Sequence, residues 1–477
     1  MGLFHPLLYA GLSRRFRPDP RPQKHPTPDR RSRSIFEPNP TRKRSSPLSG
    51  QVTALFRFVT FLELLMSVPQ DGVERAASTS RRNFLLAPVI FGAGAIFSKV
   101  LPLHEASAQT AEAPQTPLNE ASPPVAAPKT HYGPSGVSEA VAEVYQKARA
   151  ALYPICRVCP QCDGVACAGE FPGIGGLGSG LSFQNNFNDL RQVRLKMRIL
   201  NAVGPIDRKP DTSTVLFGHK ISLPAMAAPI GGMGTNFRHR ISDADFFEAI
   251  VGGCVDAGTM GAVGDGIDMK DTMQVFENIG RHQGRAIAGI KPRPQATFLE
   301  MIKMAEAQNA AMITIDIDSA GRYIRSNPTW GTKTVAELSQ LIHSTKIPFL
   351  IKGIMSPEDA VRAAEAGAAG IVVSNHGGRV LDGTPGTAAV LPGIAKKVGG
   401  KMIILVDGCV AYGVDVLRYL ALGANGVLVG RHLVRAAFGG GRKGVQLFME
   451  TMRDELETAM VMVGAANVRA INHTFLA

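Results

Sequence analysis

From about residue 220 the chain alternates short, mainly apolar runs with longer stretches whose apolar positions recur at helical spacing. The runs cover 223–228, 259–263, 285–290, 312–317, 348–354, 370–374, 402–406 and 426–429. Each is short enough for a strand and apolar on both faces, as strands of a covered parallel sheet are. The stretches 298–308, 357–366 and 413–422 between them carry helical patterns. Eight such units in about 210 residues predict an α/β chain folded as a (β/α)8 TIM barrel. A doubly wound sheet would open with Gly-x-Gly-x-x-Gly, whereas the first run ends in Pro229-Ile230-Gly231-Gly232. The stretch 173–218 then reads as a lid or cap at the bottom or side, and 445–459 as a closing helix.

Composition changes sharply ahead of the barrel. Residues 1–65 hold twelve Lys and Arg against four Asp and Glu, +8 of the formal +13. Their Pro/Ser/Arg-rich make-up cannot build a core and reads as a basic disordered leader, with Met66 as an alternative start. Ser80-Arg81-Arg82-Asn83-Phe84-Leu85, the apolar run 86–100 and Ala106-Ser107-Ala108 have the order of a twin-arginine export signal, so 66–108 is expected to direct the protein to the periplasm. That run is short and rich in Gly and Ala, which argues against a stable membrane span. The basic leader alone is weak support for nucleic-acid binding, which is not expected. Residues 109–136 read as an Ala/Pro linker, 137–218 as a cysteine-bearing cap and 219–477 as the barrel.

Four of the six cysteines fall within twelve residues: Cys156, Cys159, Cys162 and Cys167. The spacing Cys-x2-Cys-x2-Cys-x4-Cys suits a [4Fe–4S] cluster, with zinc or two disulfides as alternatives. Cys254 and Cys409 stand apart and read as buried thiols.

Polar residues gather at the carboxyl ends of the predicted strands. Lys291 follows the third; Asp316 and Asp318 end the fourth; Lys352 ends the fifth. Ser374-Asn375-His376-Gly377-Gly378-Arg379 ends the sixth, Asp407-Gly408 the seventh and Gly430-Arg431 the eighth. In a barrel these ends share one rim, where active sites are built, and the last two form the usual phosphate corner. An imidazole there can take a proton near neutral pH, and a guanidinium can clamp a carboxylate.

Lys352-Gly353-Ile354, the run Ser374–Arg379 with Leu381-Asp382, and Asp407-Gly408 with Gly430-Arg431 resemble the FMN-dependent α-hydroxy-acid oxidase and dehydrogenase family. The resemblance spans roughly residues 200–470 and implies an FMN enzyme that oxidises a small L-2-hydroxy acid to the 2-oxo acid. It implies that His376 is the base, that Asp407 pairs with it and that Arg379 binds the substrate carboxylate. Lys352 would stabilise reduced FMN, Ala228 and Pro229 would pack along the flavin, and Ser374, Gly408, Gly430 and Arg431 would help to hold the cofactor. A homo-oligomer is implied as well. An acceptor protein, a quinone or the cysteine site would then take the electrons.

Four departures mark a divergent, cysteine-bearing branch. Cys409 and Ala411 stand where the family has a glycine and an arginine in the phosphate loop. Gly289-Ile290-Lys291-Pro292 replaces Gln-x-Tyr, which makes Lys291 a candidate substrate contact. Tyr323 aligns with a second substrate arginine, for which Arg322 or Arg325 would substitute. Only 36 residues separate Asp316 from Lys352, a shortened excursion over the site. Competing readings are another FMN barrel enzyme, such as one resembling type 2 isopentenyl-diphosphate isomerase, and a non-catalytic flavin- or metal-binding module.

Overall fold

A computed structural model describes residues 137–201, 209–266, 269–282, 284–323 and 330–477. The leader 1–65, the twin-arginine segment 66–108 and the linker 109–136 lie outside the described residues.

Eight parallel strands form the core: β1 Ala225–Ala227, β2 Gly261–Gly264, β3 Ala286–Ile290, β4 Met312–Asp316, β5 Phe349–Ile354, β6 Gly370–Val373, β7 Ile403–Val406 and β8 Gly426–Val429. Their spatial order is β1-β8-β7-β6-β5-β4-β3-β2. The ring closes where the Ala227 N–H donates to Met260 O at 3.2 Å, beside β2. The expected (β/α)8 barrel is the observed fold. Nearly every strand position is buried, which is why these runs lack polar alternation.

The helices between strands end on readable signals. Ser356 caps the helix Pro357–Glu365 by accepting from the Asp359 N–H, and Pro357 opens its first turn. Thr334 and Glu337 form a reciprocal capping box ahead of Val335–His343. The expected closing helix at 445–459 is the second half of a longer element, Arg431–Val463, kinked at Gly441. Among the described residues no helix is long and apolar enough to cross a membrane.

The cap sits differently from expectation. Helix Val137–Leu152 packs along Arg431–Val463. Residues 174–186, however, reach the rim at the strands' carboxyl ends, not the bottom or side. The Leu177 N–H donates to Gly378 O at 2.8 Å. Asp382, after β6, accepts from the Ser179 N–H, Ser179 Oγ and the Leu181 N–H at 2.6, 2.7 and 3.0 Å. Helix Leu181–Gln192 has few apolar positions of its own, and these bonds hold it to the loop after β6.

Candidate active site

Lys352, on β5, is 3% exposed and points into a polar knot. Ser374 Oγ, just past β6, is its hub. It accepts from Lys352 Nζ at 3.1 Å and from the His376 N–H at 3.0 Å, and donates to Asp407 Oδ2 at 2.8 Å. Lys352 Nζ also lies 3.7 Å from Asp316 Oδ1 and 3.6 Å from Asp407 Oδ2. Burial opposes charge on this lysine, yet Asp316, Asp318 and Asp407 outweigh it and hold the ammonium above its ordinary pKa. Burial likewise pushes the Asp316 carboxyl up, with Lys352 and His376 opposing.

His376 takes a different partner from the one expected. Its Nδ1 lies 3.0 Å from Asp318 Oδ1, whereas Asp407 reaches it only through Ser374. His376 adopts a left-handed backbone, φ 57°, uncommon outside glycine and concentrated at functional sites. Gly353 makes room on the other side: at φ 102°, a Cβ there would lie 2.6 Å from Asp318 Cβ. Burial works against the Asp318 charge, but His376 and Lys352 hold its carboxyl below the usual range. A carboxylate on Nδ1 fixes the imidazole tautomer and leaves Nε2 as the proton acceptor.

Arg379 lines the same cavity as His376. Its Nη2 donates to Asn236 Oδ1 at 2.8 Å, and its guanidinium lies 5.2 Å from the Phe171 ring centroid. Lys291 also lines the cavity, but its ammonium is paired with the buried Asp265 carboxylate, which accepts from Arg293 Nε at 2.9 Å as well. Arg322 falls in the short helix Ala320–Tyr323, and its side chain lies outside the described residues. Asn236, Asp265 and Trp330, which line the cavity, and Phe171, which packs on Arg379, carried no motif; their partners lie far away in sequence.

The cavity at the rim has a volume of about 540 Å³. Ala228, Pro229, Lys352, His376, Arg379, Asp407, Gly408, Gly430 and Arg431 line it, while Ser374 lies wholly buried behind it as the hub. The FMN-dependent dehydrogenase family model matches residues 174–328 and 321–477. The chain belongs to that family.

Individual relatives agree. An L-lactate dehydrogenase of Caulobacter sp. (strain K31) is 31% identical over 354 residues, 64% of this chain and 92% of that protein. An L-lactate dehydrogenase of Caulobacter vibrioides is 46% identical over 142 residues, and a 2-hydroxyacid oxidase of Dictyostelium discoideum 44% over 140. These two matches take in 30% and 29% of this chain, and span only 37% and 36% of those proteins. A crystal structure of a mandelate oxidase variant with 2-hydroxy-phenylacetamide superposes with a TM-score of 0.57 at 28% identity, over 69% of this chain and 96% of that one.

The residues lining this cavity fit the cofactor for which the family is named. The cavity volume lies in the range of small-molecule sites. At Gly430 an added Cβ would meet only Ala228 Cβ and Ile230 Cδ1, both at 3.9 Å, so the backbone is open to close approach. Asp407 Oδ1 is buried without a hydrogen-bond partner, an acceptor awaiting a donor. At the phosphate corner, Arg431 already donates from Nε to Ile174 O and from Nη2 to Gly377 O, both at 2.8 Å. It also lies 3.7 Å from the Phe183 ring centroid. One of its five N–H groups therefore pins the cap and one the loop after β6, and three remain for an anion.

The described cysteine loop gives no support to the expected metal centre. Cys156, Cys159, Cys162 and Cys167 border one void of about 20 Å³, room for a single water. Among the described residues no group of three or more His, Cys, Asp or Glu side chains is arranged to hold a metal ion, so neither the cluster nor zinc is supported. All six cysteines are free thiols, so the disulfide alternative is not realised. What the sulfurs do share is Arg435, 3% exposed, whose Nη2 lies 3.1 Å from Cys162 Sγ and 3.8 Å from Cys156 Sγ.

Proposed function

We propose that this protein oxidises an L-2-hydroxy acid to the 2-oxo acid, with FMN as the immediate electron acceptor. One observation carries the reading: an imidazole paired to a buried carboxylate, an arginine and a buried lysine line a single cavity at the barrel rim. The names of the relatives, lactate dehydrogenase, 2-hydroxyacid oxidase and mandelate oxidase, support the same substrate class.

Bound FMN supplies the two-electron acceptor. Arg379, oriented by Asn236 and Phe171, binds the substrate carboxylate and so fixes which carbon faces the flavin. His376 takes the substrate proton at Nε2, and Asp318 stabilises the imidazolium that forms. Lys352 contributes a fixed buried positive charge, which favours the electron-rich reduced cofactor. Asp407 and Ser374 hold Lys352 and the His376 backbone in place. Anaerobic mixing with a panel of L- and D-2-hydroxy acids tests the reading. Loss of oxidised-flavin absorbance with at least one L-acid is expected; no loss with any acid refutes it.

The electrons then pass to an external acceptor. The cysteine loop shares Cys162, Ile174, Phe183 and Arg431 with the flavin cavity wall, which supports an exit on that side. An EPR spectrum of reduced, anaerobically purified protein tests whether an iron–sulfur cluster takes part. The order of twin arginine, apolar run and Ala106-Ser107-Ala108 supports periplasmic export, which N-terminal sequencing of the exported protein tests.

A further inference from the structure

A second cavity, of about 500 Å³, lies beyond the phosphate corner. It shares Cys162, Cys409 and His432 with the flavin cavity, so the two are separated by one layer of side chains. Its lining is mainly apolar, with Phe187, Leu195, Val414, Ala459 and Val463 among the walls. Met197 and Met462 also line it and are 70% and 38% exposed, so they mark its mouth. Beside them Ile199, Leu200 and Val461 are exposed too, giving the opening an apolar apron. Charge on one wall is already matched: Arg418 Nη1 lies 2.8 Å from the fully buried Asp415, which also pairs with Arg191.

One polar group inside remains to be explained. Glu455 lines the cavity and accepts from the Gly413 N–H at 2.8 Å. Burial, only partly offset by that bond, raises its carboxyl to about 7, so it carries an exchangeable proton near neutrality. Tyr412 stands on the same lining. An apolar chamber with a mouth, sharing a wall with the flavin cavity and holding a protonatable carboxyl, has the chemistry that an apolar quinone requires.

We infer that this second cavity binds a lipophilic quinone, which takes the electrons from the reduced flavin. The inference rests on the hydroxy-acid reading for the source of those electrons. The carbinol of the substrate loses two electrons and two protons as its C–O bond becomes C=O. The two quinone oxygens gain two electrons and two protons to give the hydroquinone, and the flavin returns to its oxidised form. Glu455 delivers a proton to one quinone oxygen and is recharged from solvent at the mouth.

The FMN-loaded protein and a short-tailed alkyl benzoquinone test this. Binding is measured by calorimetry on the oxidised protein, and reoxidation by stopped flow after anaerobic reduction. Quinone is expected to bind and to reoxidise the flavin. Ala459→Trp, which fills the chamber, should weaken binding and slow reoxidation by quinone about tenfold or more, a loss of roughly 1.4 kcal/mol. Flavin reduction by the hydroxy acid and reoxidation by ferricyanide should be unchanged. Should Ala459→Trp fail to fold, Glu455→Gln serves instead: binding is retained and reoxidation by quinone is slowed. The inference is overturned if quinone neither binds nor reoxidises the wild-type flavin, or if the variant that folds is reoxidised by quinone at the wild-type rate. Reducing the flavin with dithionite keeps this test independent of whether any hydroxy acid is a substrate.

Discussion

His376 Nδ1 is 3.0 Å from Asp318 Oδ1, and this pair, spanning the ends of β6 and β4, sets the direction of proton transfer in the site. Replacing Asp318 by Asn removes the charge that stabilises the imidazolium and permits the wrong tautomer. Flavin reduction in single turnover should slow by roughly 10²- to 10⁴-fold. Asp407→Asn should cost less, because Asp407 reaches His376 only through Ser374. Equal losses in the two variants would contradict this division.

Lys352 is the buried cation among Asp316, Asp318 and Asp407. Lys352→Met leaves those carboxylates without it. Chemical denaturation should show a loss on the order of 3–5 kcal/mol, the usual cost of breaking a buried pair from one side. The flavin reduction potential should fall as well, because the reduced cofactor loses a nearby positive charge. An unchanged potential would separate Lys352 from the flavin.

Gly378 has φ +76°, and a Cβ there would lie 2.4 Å from the Phe183 backbone nitrogen. Gly378→Ala therefore strains the loop and pushes the cap away from the rim. Because Phe183 and Ile174 line the flavin cavity, FMN should dissociate faster and the cap should become sensitive to limited proteolysis. Asp382→Asn, which weakens the acceptor for the Ser179 and Leu181 amides, should act in the same direction but more mildly.

Glu455 gives a pH signature. Its folded carboxyl is raised from 4.5 to about 7, so the folded state holds the proton more tightly than the unfolded chain does. Its contribution to stability is complete below pH 4.5 and is lost as pH rises through about 7. Glu455→Gln should be nearly neutral at pH 4.5 and increasingly stabilising toward pH 8, by up to about 3 kcal/mol. Thermal melts at several pH values measure it. A constant difference between variant and wild type would show that Glu455 titrates normally.

The barrel was legible because each strand is buried on both faces, so its run of apolar residues is unbroken and its rim end is marked by the first polar residue. Lys352, His376, Arg379, Asp407 and Arg431 could therefore be placed at one rim from order alone. Pairings across the rim could not. The choice of Asp318 over Asp407 depends on the left-handed backbone of His376 and on the space beside Gly353. Lys291 lines the cavity, but its partner Asp265, 26 residues earlier and buried, carried no signal of the pairing. The cap's position was illegible because hydrogen bonds to Asp382, Gly378 and the rest of the loop after β6, beside only two buried apolar side chains of its helix, bring it to the rim. Cysteine spacing predicted a common centre; the thiols do border one void, but among the described residues no metal-holding group is arranged there.

The most direct measurement is product stoichiometry in an anaerobic titration of the FMN-loaded protein with an L-2-hydroxy acid. One 2-oxo acid formed per flavin reduced, with the D-enantiomer inert and His376→Asn inactive, is the predicted result. A flavin that dithionite reduces but that no 2-hydroxy acid bleaches, with no 2-oxo acid formed, would contradict it.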